Sequence, residues 1–314
     1  MTTIPEVRVA VLDIGTNSTR LLIADVDPAS GGVEEIVRDS RVTRLGEGVD
    51  AGGSLSGRAI GRVLEVLGDY RRQIDENGCQ ANLAVMTSAV REAGNGEQFA
   101  ARVRERFGLD AEILKGEQEA QLTFLGAMAG RAPAVEPTVV IDIGGGSTEF
   151  VVGLGRTAGF HVSVPAGVVR MSERHIHHDP PTYEELQELS RQTREEFLAA
   201  IPAQEREPVS CGIAVAGTAT SAASMEQELE PYDAGRVHGH PLLLATVELL
   251  LARLAEMTED ERRRVPGLHP DRAPTIIAGM VLLSTAMRVM DLETVEVSEH
   301  DILYGGALRL AGLG

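Results

Sequence analysis

Short apolar runs separated by turn-forming clusters open the chain. Residues 7–12, 20–24 and 33–42 read as three successive strands, with Asp27-Pro28-Ala29-Ser30-Gly31-Gly32 as the turn between the second and third. A glycine-rich loop over 46–55 follows. Ser56 then caps a long helix. Its apolar positions, Ile60, Val63, Leu64, Leu67, Tyr70 and Ile74, recur at helical spacing until Asn77-Gly78 stops it. Residues 82–86 read as a buried strand. The polar stretch over 87–95 starts at its carboxyl end, where open α/β sheets bind ligands. Phe99, Val103 and Phe107 mark a helix, and 112–114 a short strand. Residues 116–130 read as a helix with Ala120, Phe124, Ala127 and Met128 on one face.

The order then restarts. Strands are predicted over 138–143, 149–153 and 157–164, and helices over 168–175 and 181–201. A strand at 212–216, a helix at 218–226 and helices across 241–264 come next. A helix at 274–290, a strand at 294–297 and a last helix at 301–313 close the chain. Recurrence of one element order is the mark of an internal duplication. It predicts an α/β fold of two like domains, 1–131 and 132–314, with the active site in the cleft between them. The last helix, about 300–314, has the option of packing back on the first domain.

The duplication is plainest in two octets. Asp13-Ile14-Gly15-Thr16-Asn17-Ser18-Thr19-Arg20 matches Asp142-Ile143-Gly144-Gly145-Gly146-Ser147-Thr148-Glu149 at five of eight positions. Each sits between two apolar runs and reads as the tight turn of a β-hairpin. Such a turn gathers backbone N–H groups and hydroxyls into an anion cradle. An aspartate at the end of the strand adds an oxygen suited to a hard cation such as magnesium.

Composition narrows the function. Apolar residues make up 43%, as in a globular protein, while aromatics are scarce at 3% with no Trp, so the core rests on Val, Leu, Ile and Ala. A formal net charge of −18 argues against nucleic acid as a partner held by bulk positive charge. A phosphate ligand then requires a small positive island, from Arg20, Arg91, a metal ion, and Arg44 or Arg170. Cys79 and Cys211 are far apart and read as unrelated buried thiols. The longest apolar stretches are too short to span a membrane. The expectation is a cytoplasmic protein without membrane or nucleic-acid partners.

With the octets in hand, the chain resembles the exopolyphosphatase / guanosine pentaphosphate phosphohydrolase family, a branch of the actin, sugar kinase and heat-shock ATPase superfamily. The resemblance covers nearly the whole chain and rests on further ordered motifs. These are Thr87-Ser88-Ala89-Val90-Arg91, Gly116-Glu117-Gln118-Glu119-Ala120, Val215-Ala216-Gly217-Thr218-Ala219-Thr220, Ala278-Gly279 and Val297-Ser298. It implies two actin-like (ribonuclease H-like) domains and metal-dependent hydrolysis of the terminal phosphoanhydride of inorganic polyphosphate. Guanosine pentaphosphate or another nucleoside polyphosphate is the alternative substrate. The implied cofactor is magnesium, with manganese as the second choice, and the implied assembly is a homodimer. The family's catalytic glutamate corresponds to Glu119. Gln118 stands where the family often has Glu, and Tyr304 near where many members carry an arginine.

Phosphoanhydride hydrolysis needs a positioned water and charge neutralisation on the transferred group. Glu119 is the candidate to orient and deprotonate the water; on spacing alone it is also an ordinary first-turn glutamate. Asp142, Glu149 and Asp13 are the candidate metal ligands. Gly15, Thr16, Asn17, Ser18, Gly144, Gly145, Gly146, Ser147, Thr148, Gly217 and Thr218 are candidates for phosphoryl oxygens. Arg91 is the candidate clamp on the terminal phosphate, because guanidinium matches phosphate in a fork. Arg20 reads either as a phosphate contact or as a solvated strand residue. Arg262-Arg263-Arg264 reads as the solvated face of a short helix, with a secondary polyanion contact as the alternative. His175, His177, His178 and Asp179 lack the spacing of two zinc ligands on one helix face and read as a loop. A non-hydrolytic actin-like ATP- or polyphosphate-binding protein is the alternative of a different class, opposed by the joint presence of Glu119, Asp142 and Glu149.

Overall fold

The computed structural model describes residues 6–131, 134–155 and 157–313. The chain divides into two compact units, Met1–Pro133 with His300–Gly314, and Ala134–Glu299. The first unit contains β1 (Val7–Ile14), β2 (Ser18–Val26), β3 (Val33–Val42), α1 (Val49–Gly52), α2 (Gly57–Glu76), β4 (Ala81–Met86), α3 (Ser88–Glu92), α4 (Gly96–Phe107), β5 (Ala111–Ile113) and α5 (Gly116–Ala127). The second begins with β6 (Ala134–Ile143), β7 (Thr148–Gly155), β8 (Thr157–Val164), α6 (Val168–His175), α7 (Tyr183–Ala200), α8 (Ala203–Arg206), β9 (Cys211–Val215) and α9 (Ala216–Glu226). It continues through α10 (Ala234–Val237), β10 (Pro241–Leu243), α11 (Leu244–Ala255), α12 (Glu259–Arg262), a 3₁₀ turn at Pro270–Arg272, α13 (Ile276–Val289) and β11 (Thr294–Val297). The last helix, α14 (Ile302–Leu310), belongs to the first unit.

Strand order shows the duplication directly. The first sheet runs β3-β2-β1-β4-β5, and the second, taken from the same end, β8-β7-β6-β9-β11-β10. In each, the first three strands of the unit form an antiparallel meander, and the next lies parallel beside its first strand. The difference is β10, an added antiparallel edge strand in a region where periodicity predicts only helices. Three residues, Pro241-Leu242-Leu243, are too few for alternation to show, and they run straight into the helical pattern of α11.

β1 is buried on both faces, and its side chains alternate between two cores. Ala10, Leu12 and Ile14 pack with Leu64, Leu67 and Tyr70 of α2. Val9 and Val11 pack with Leu303, Tyr304, Ala307 and Leu308 of α14. The chain's last helix therefore covers a sheet face that the first unit's N-terminal segment, Met1–Pro133, would by itself leave apolar. It approaches α5 closely: a Cβ on Gly126 would lie 1.8 Å from the Asp301 carbonyl oxygen, and one on Gly305 1.9 Å from that of Leu122. Only glycine lets two helix backbones meet at that spacing. In the second unit α13 is mostly apolar, and every residue in it but Arg288 is buried, as a helix at the centre of a core must be.

Ser56 caps α2 as expected, accepting the Ala59 N–H at 3.2 Å. Both cysteines are free thiols, but Cys211 is exposed and Cys79 half-buried, so neither is the buried thiol expected. Among the described residues, no helix is long and apolar enough to cross a membrane.

Candidate active site

The first octet forms the turn from β1 to β2, closed by the Gly15 N–H donating to the Ser18 carbonyl at 3.0 Å. The segment after β3 folds back onto this turn. Thr43 and Arg44 donate their N–H groups to the Asn17 carbonyl at 2.9 and 2.8 Å, and Gly46 donates to Thr16 at 2.9 Å. Two turn carbonyls are thus occupied, whereas no described hydrogen bond uses the N–H of Thr16 or Asn17. That polarity suits an anion. Thr16 Oγ1 and Ser88 Oγ share a buried 2.9 Å hydrogen bond that ties the turn to α3. The tie is made because β4 lies parallel to β1, with Met86 beside Ile14, so α3 starts next to the turn. The polar stretch over 87–95 is in part this short helix.

Arg91 extends from α3 to α5. Its Nη1 donates to Glu119 Oε2 at 2.6 Å and to the Leu114 carbonyl at 3.0 Å. Glu119 is only 7% exposed and stands in the first turn of α5, where the helix dipole favours a carboxylate. Gln118 reaches back one turn, its Oε1 accepting the Lys115 N–H at 3.0 Å. An amide makes this cap as well as a carboxylate does, which gives a structural reason for the family's Glu to be dispensable there.

Arg20 is not a solvated strand residue. Opposite Asp13 in the strand register, it donates to Asp13 Oδ2 through Nε at 2.9 Å and Nη2 at 2.6 Å, while Nη1 pairs with Asp301. Asp301 is buried, and its second oxygen caps α14 by accepting the Leu303 N–H at 3.0 Å. Burial pushes the Asp13 carboxyl up from its ordinary value, against the pull of Arg20. Burial acts the same way on Asp301. There the attraction of Arg20 and Arg38, with the Leu303 N–H, outweighs it and holds the carboxyl low. Asp13 Oδ1 is buried without a hydrogen-bond partner, an oxygen with capacity for a cation or water.

The second octet repeats the construction between β6 and β7. Gly144 donates to the Ser147 carbonyl at 2.9 Å. The segment after β8 folds back, with Val168 donating to Gly144 at 2.9 Å, and Val169 and Arg170 to Gly145 at 2.8 and 3.3 Å. No described hydrogen bond uses the N–H of Gly145 or Gly146. Gly167 lies so near that a Cβ would sit 2.4 Å from Ser147 N. Thr148 is fully buried, and its hydroxyl donates to the Ala166 carbonyl at 2.6 Å, so it fastens the fold-back segment to the turn. Val215 of β9 pairs beside Asp142, which starts α9 next to the second turn as α3 starts next to the first. Ala216 adopts a left-handed φ of 62° at this junction. Gly217 lies under the Arg272 guanidinium, with an added Cβ only 1.6 Å from Nη1, and Thr218 abuts Gly279.

The cross-strand pair that is Asp13–Arg20 in the first turn is Asp142–Glu149 in the second. Like charges directly opposite repel. Glu149 is 3% exposed and accepts the Ser163 hydroxyl at 2.7 Å. A divalent cation at this pair would relieve the repulsion, so the residues fit one. Among the described residues no three or more His, Cys, Asp and Glu side chains gather as metal ligands. Two carboxylates would leave most of the coordination to water and phosphate oxygens, which suits magnesium.

Other charged stretches serve the fold. Glu185 bonds His178 Nδ1 at 2.8 Å and accepts the N–H groups of His177 and Thr182 at 2.9 Å each, fastening the start of α7. Asp179 accepts the Glu259 N–H at 2.9 Å and Arg262 at 3.1 Å. Arg262 is buried and also donates to the Met257 carbonyl at 2.7 Å, which corrects the solvated-face reading at that position, while Arg263 is half-buried and Arg264 exposed. Sequence reasoning missed Asp301, Ser163 and Arg272. Asp301 lies 281 residues from its partner Arg20, and no local pattern relates them.

A profile described as the Ppx/GppA phosphatase family matches residues 22–309. A Mycobacterium tuberculosis protein named exopolyphosphatase 2 is 37% identical over 97% of this chain and 99% of its own. Among solved structures, a Ppx/GppA family member from Aquifex aeolicus is 31% identical, with a TM-score of 0.82 over 98% of this chain and 97% of that one. An exopolyphosphatase from Cytophaga hutchinsonii is 25% identical, with a TM-score of 0.87 over 98% and 99%.

Proposed function

This chain belongs to the Ppx/GppA phosphatase family and has its actin-like fold, and we propose that it is an exopolyphosphatase, releasing orthophosphate from the end of inorganic polyphosphate. The observation that carries the chemistry is the Glu119–Arg91 pair. A buried carboxylate is held at 2.6 Å by an arginine, at a helix start, in the same unit as the first octet turn. Glu119 takes a proton from water as the water oxygen attacks the terminal phosphorus. The bridging P–O bond breaks, and the shortened chain leaves with the bond's electrons. Arg91 fixes the direction of the carboxylate and offers its remaining N–H groups to the terminal phosphate.

The N–H groups of Thr16 and Asn17, and of Gly145 and Gly146, take phosphoryl oxygens, with Gly15, Ser18, Gly144, Ser147, Gly217 and Thr218 shaping the contact. Arg20 holds Asp13 in place. Asp142 and Glu149 would hold magnesium, or manganese, and Asp13 offers one further oxygen in the first turn. The ion, when bound, supplies charge neutralisation on the phosphoryl oxygens. The relatives' names favour polyphosphate over a nucleotide. Phosphate release with magnesium across polyphosphate lengths, guanosine pentaphosphate, ATP and ADP tests this. Polyphosphate is expected to be the best substrate, and a nucleotide preferred over every polyphosphate overturns the assignment. The same preparations, by sedimentation, test the homodimer.

A further inference from the structure

Arg44 is placed by the fold in an unusual way. It has a left-handed φ of 48°, a conformation that strains any residue with a Cβ and that glycine adopts freely. The backbone is held there from both sides. The Arg44 N–H donates to the Asn17 carbonyl at 2.8 Å, and the Arg44 carbonyl accepts from Arg62 Nη2 at 2.9 Å. Its side chain is exposed, and no described hydrogen bond or ion pair engages the guanidinium. Nearby arginines are committed: Arg20 to Asp13 and Asp301, Arg62 to Glu47, and Arg91 to Glu119. The second unit repeats the device, since the Arg170 N–H docks on the Gly145 carbonyl of its own octet turn. In both units the fold-back segment brings an arginine backbone onto the turn.

Glycine would relieve the strain and keep both backbone hydrogen bonds, so nothing in the fold calls for arginine at this position. Strain of this kind is maintained where a side chain has work to do. We propose that Arg44 is a substrate-binding residue of the first turn, taking a phosphate of an inorganic oligophosphate other than the one released. The inference rests on the proposed polyphosphate reading for its ligand. It adds a positive charge to the first turn, where Arg20 is already neutralised by two carboxylates.

The test compares the intact protein with Arg44→Gly and Arg44→Lys, by tripolyphosphate binding in calorimetry, by KM and kcat for phosphate release, and by thermal midpoint. Arg44→Gly is expected to bind tripolyphosphate about tenfold more weakly. Its KM should rise by a similar factor, kcat should change less, and its midpoint should be equal or higher. Arg44→Lys is expected to recover part of the affinity. Unchanged affinity in Arg44→Gly overturns the proposal, as does a lower midpoint with kcat falling and affinity intact. If the wild type binds tripolyphosphate in an Arg44-dependent way but releases no phosphate, the hydrolase reading fails and the Arg44 assignment stands. If it does not bind, both fail.

Discussion

Arg91 Nη1 lies 2.6 Å from Glu119 Oε2, and the same nitrogen bonds the Leu114 carbonyl at 3.0 Å. The arginine is thereby anchored to the loop that leads into α5, and it fixes the carboxylate from outside its own helix. Arg91→Lys keeps the charge but not the fork. We expect kcat to fall about 10–100-fold with little change in thermal midpoint. Steady-state kinetics beside a melting curve checks this, and an unaffected kcat removes Arg91 from the mechanism.

The Asp142–Glu149 cross-strand pair makes a prediction that does not depend on turnover. Glu149→Gln keeps the shape and removes one of two opposed charges. In metal-free buffer it should be more stable by about 0.5 kcal/mol. Magnesium should raise the wild-type midpoint and raise the variant's less. Equal magnesium-induced shifts in the two proteins would place the ion elsewhere.

The meeting of α5 and α14 predicts a stability effect that reaches the site. Alanine at Gly126 would put a Cβ 1.8 Å from the Asp301 carbonyl. Gly126→Ala should cost about 3 kcal/mol in urea unfolding. Asp301 pairs with Arg20, and α5 carries Glu119, so activity should fall as well. Full stability in this variant would show that the two helices do not meet as described.

Much of this was legible in the sequence, for identifiable reasons. The octets, the Ser56 cap and the strand–helix order are local patterns, and each appears at or near its expected position. The Asp13–Arg20 and Asp142–Glu149 contrast could be read because a hairpin turn sets its own register. What stayed hidden depends on distant chain. Arg20 was legible as a charge but not as a partner of Asp301, which arrives from the last helix. The buried role of Arg262 depends on Asp179, 83 residues away. Arg44 was legible as a candidate charge for the phosphate site but not as a strained position, because a left-handed φ at a non-glycine residue is imposed by surrounding hydrogen bonds.

Glu185 predicts a pH dependence of stability. Burial alone would raise its carboxyl, but His178 and the N–H groups of Thr182 and His177 outweigh this and bring it down to about 2, from an ordinary 4.5. A lowered carboxyl stabilises the fold fully above the unfolded value and loses that contribution as pH falls toward the folded one. Wild-type stability should therefore decline between about pH 4.5 and 2, and Glu185→Gln should flatten that decline. Denaturant unfolding at about pH 6, above this window, and about pH 3, inside it, measures the decline. An identical slope in both proteins would contradict the role given to Glu185.

The most direct test of the central claim is phosphate release and tripolyphosphate binding by Glu119→Gln in the presence of magnesium. The amide keeps the shape and loses the base. The account predicts that binding stays within about threefold of wild type while release falls by about 10²–10⁴-fold. Release at a near wild-type rate would contradict it.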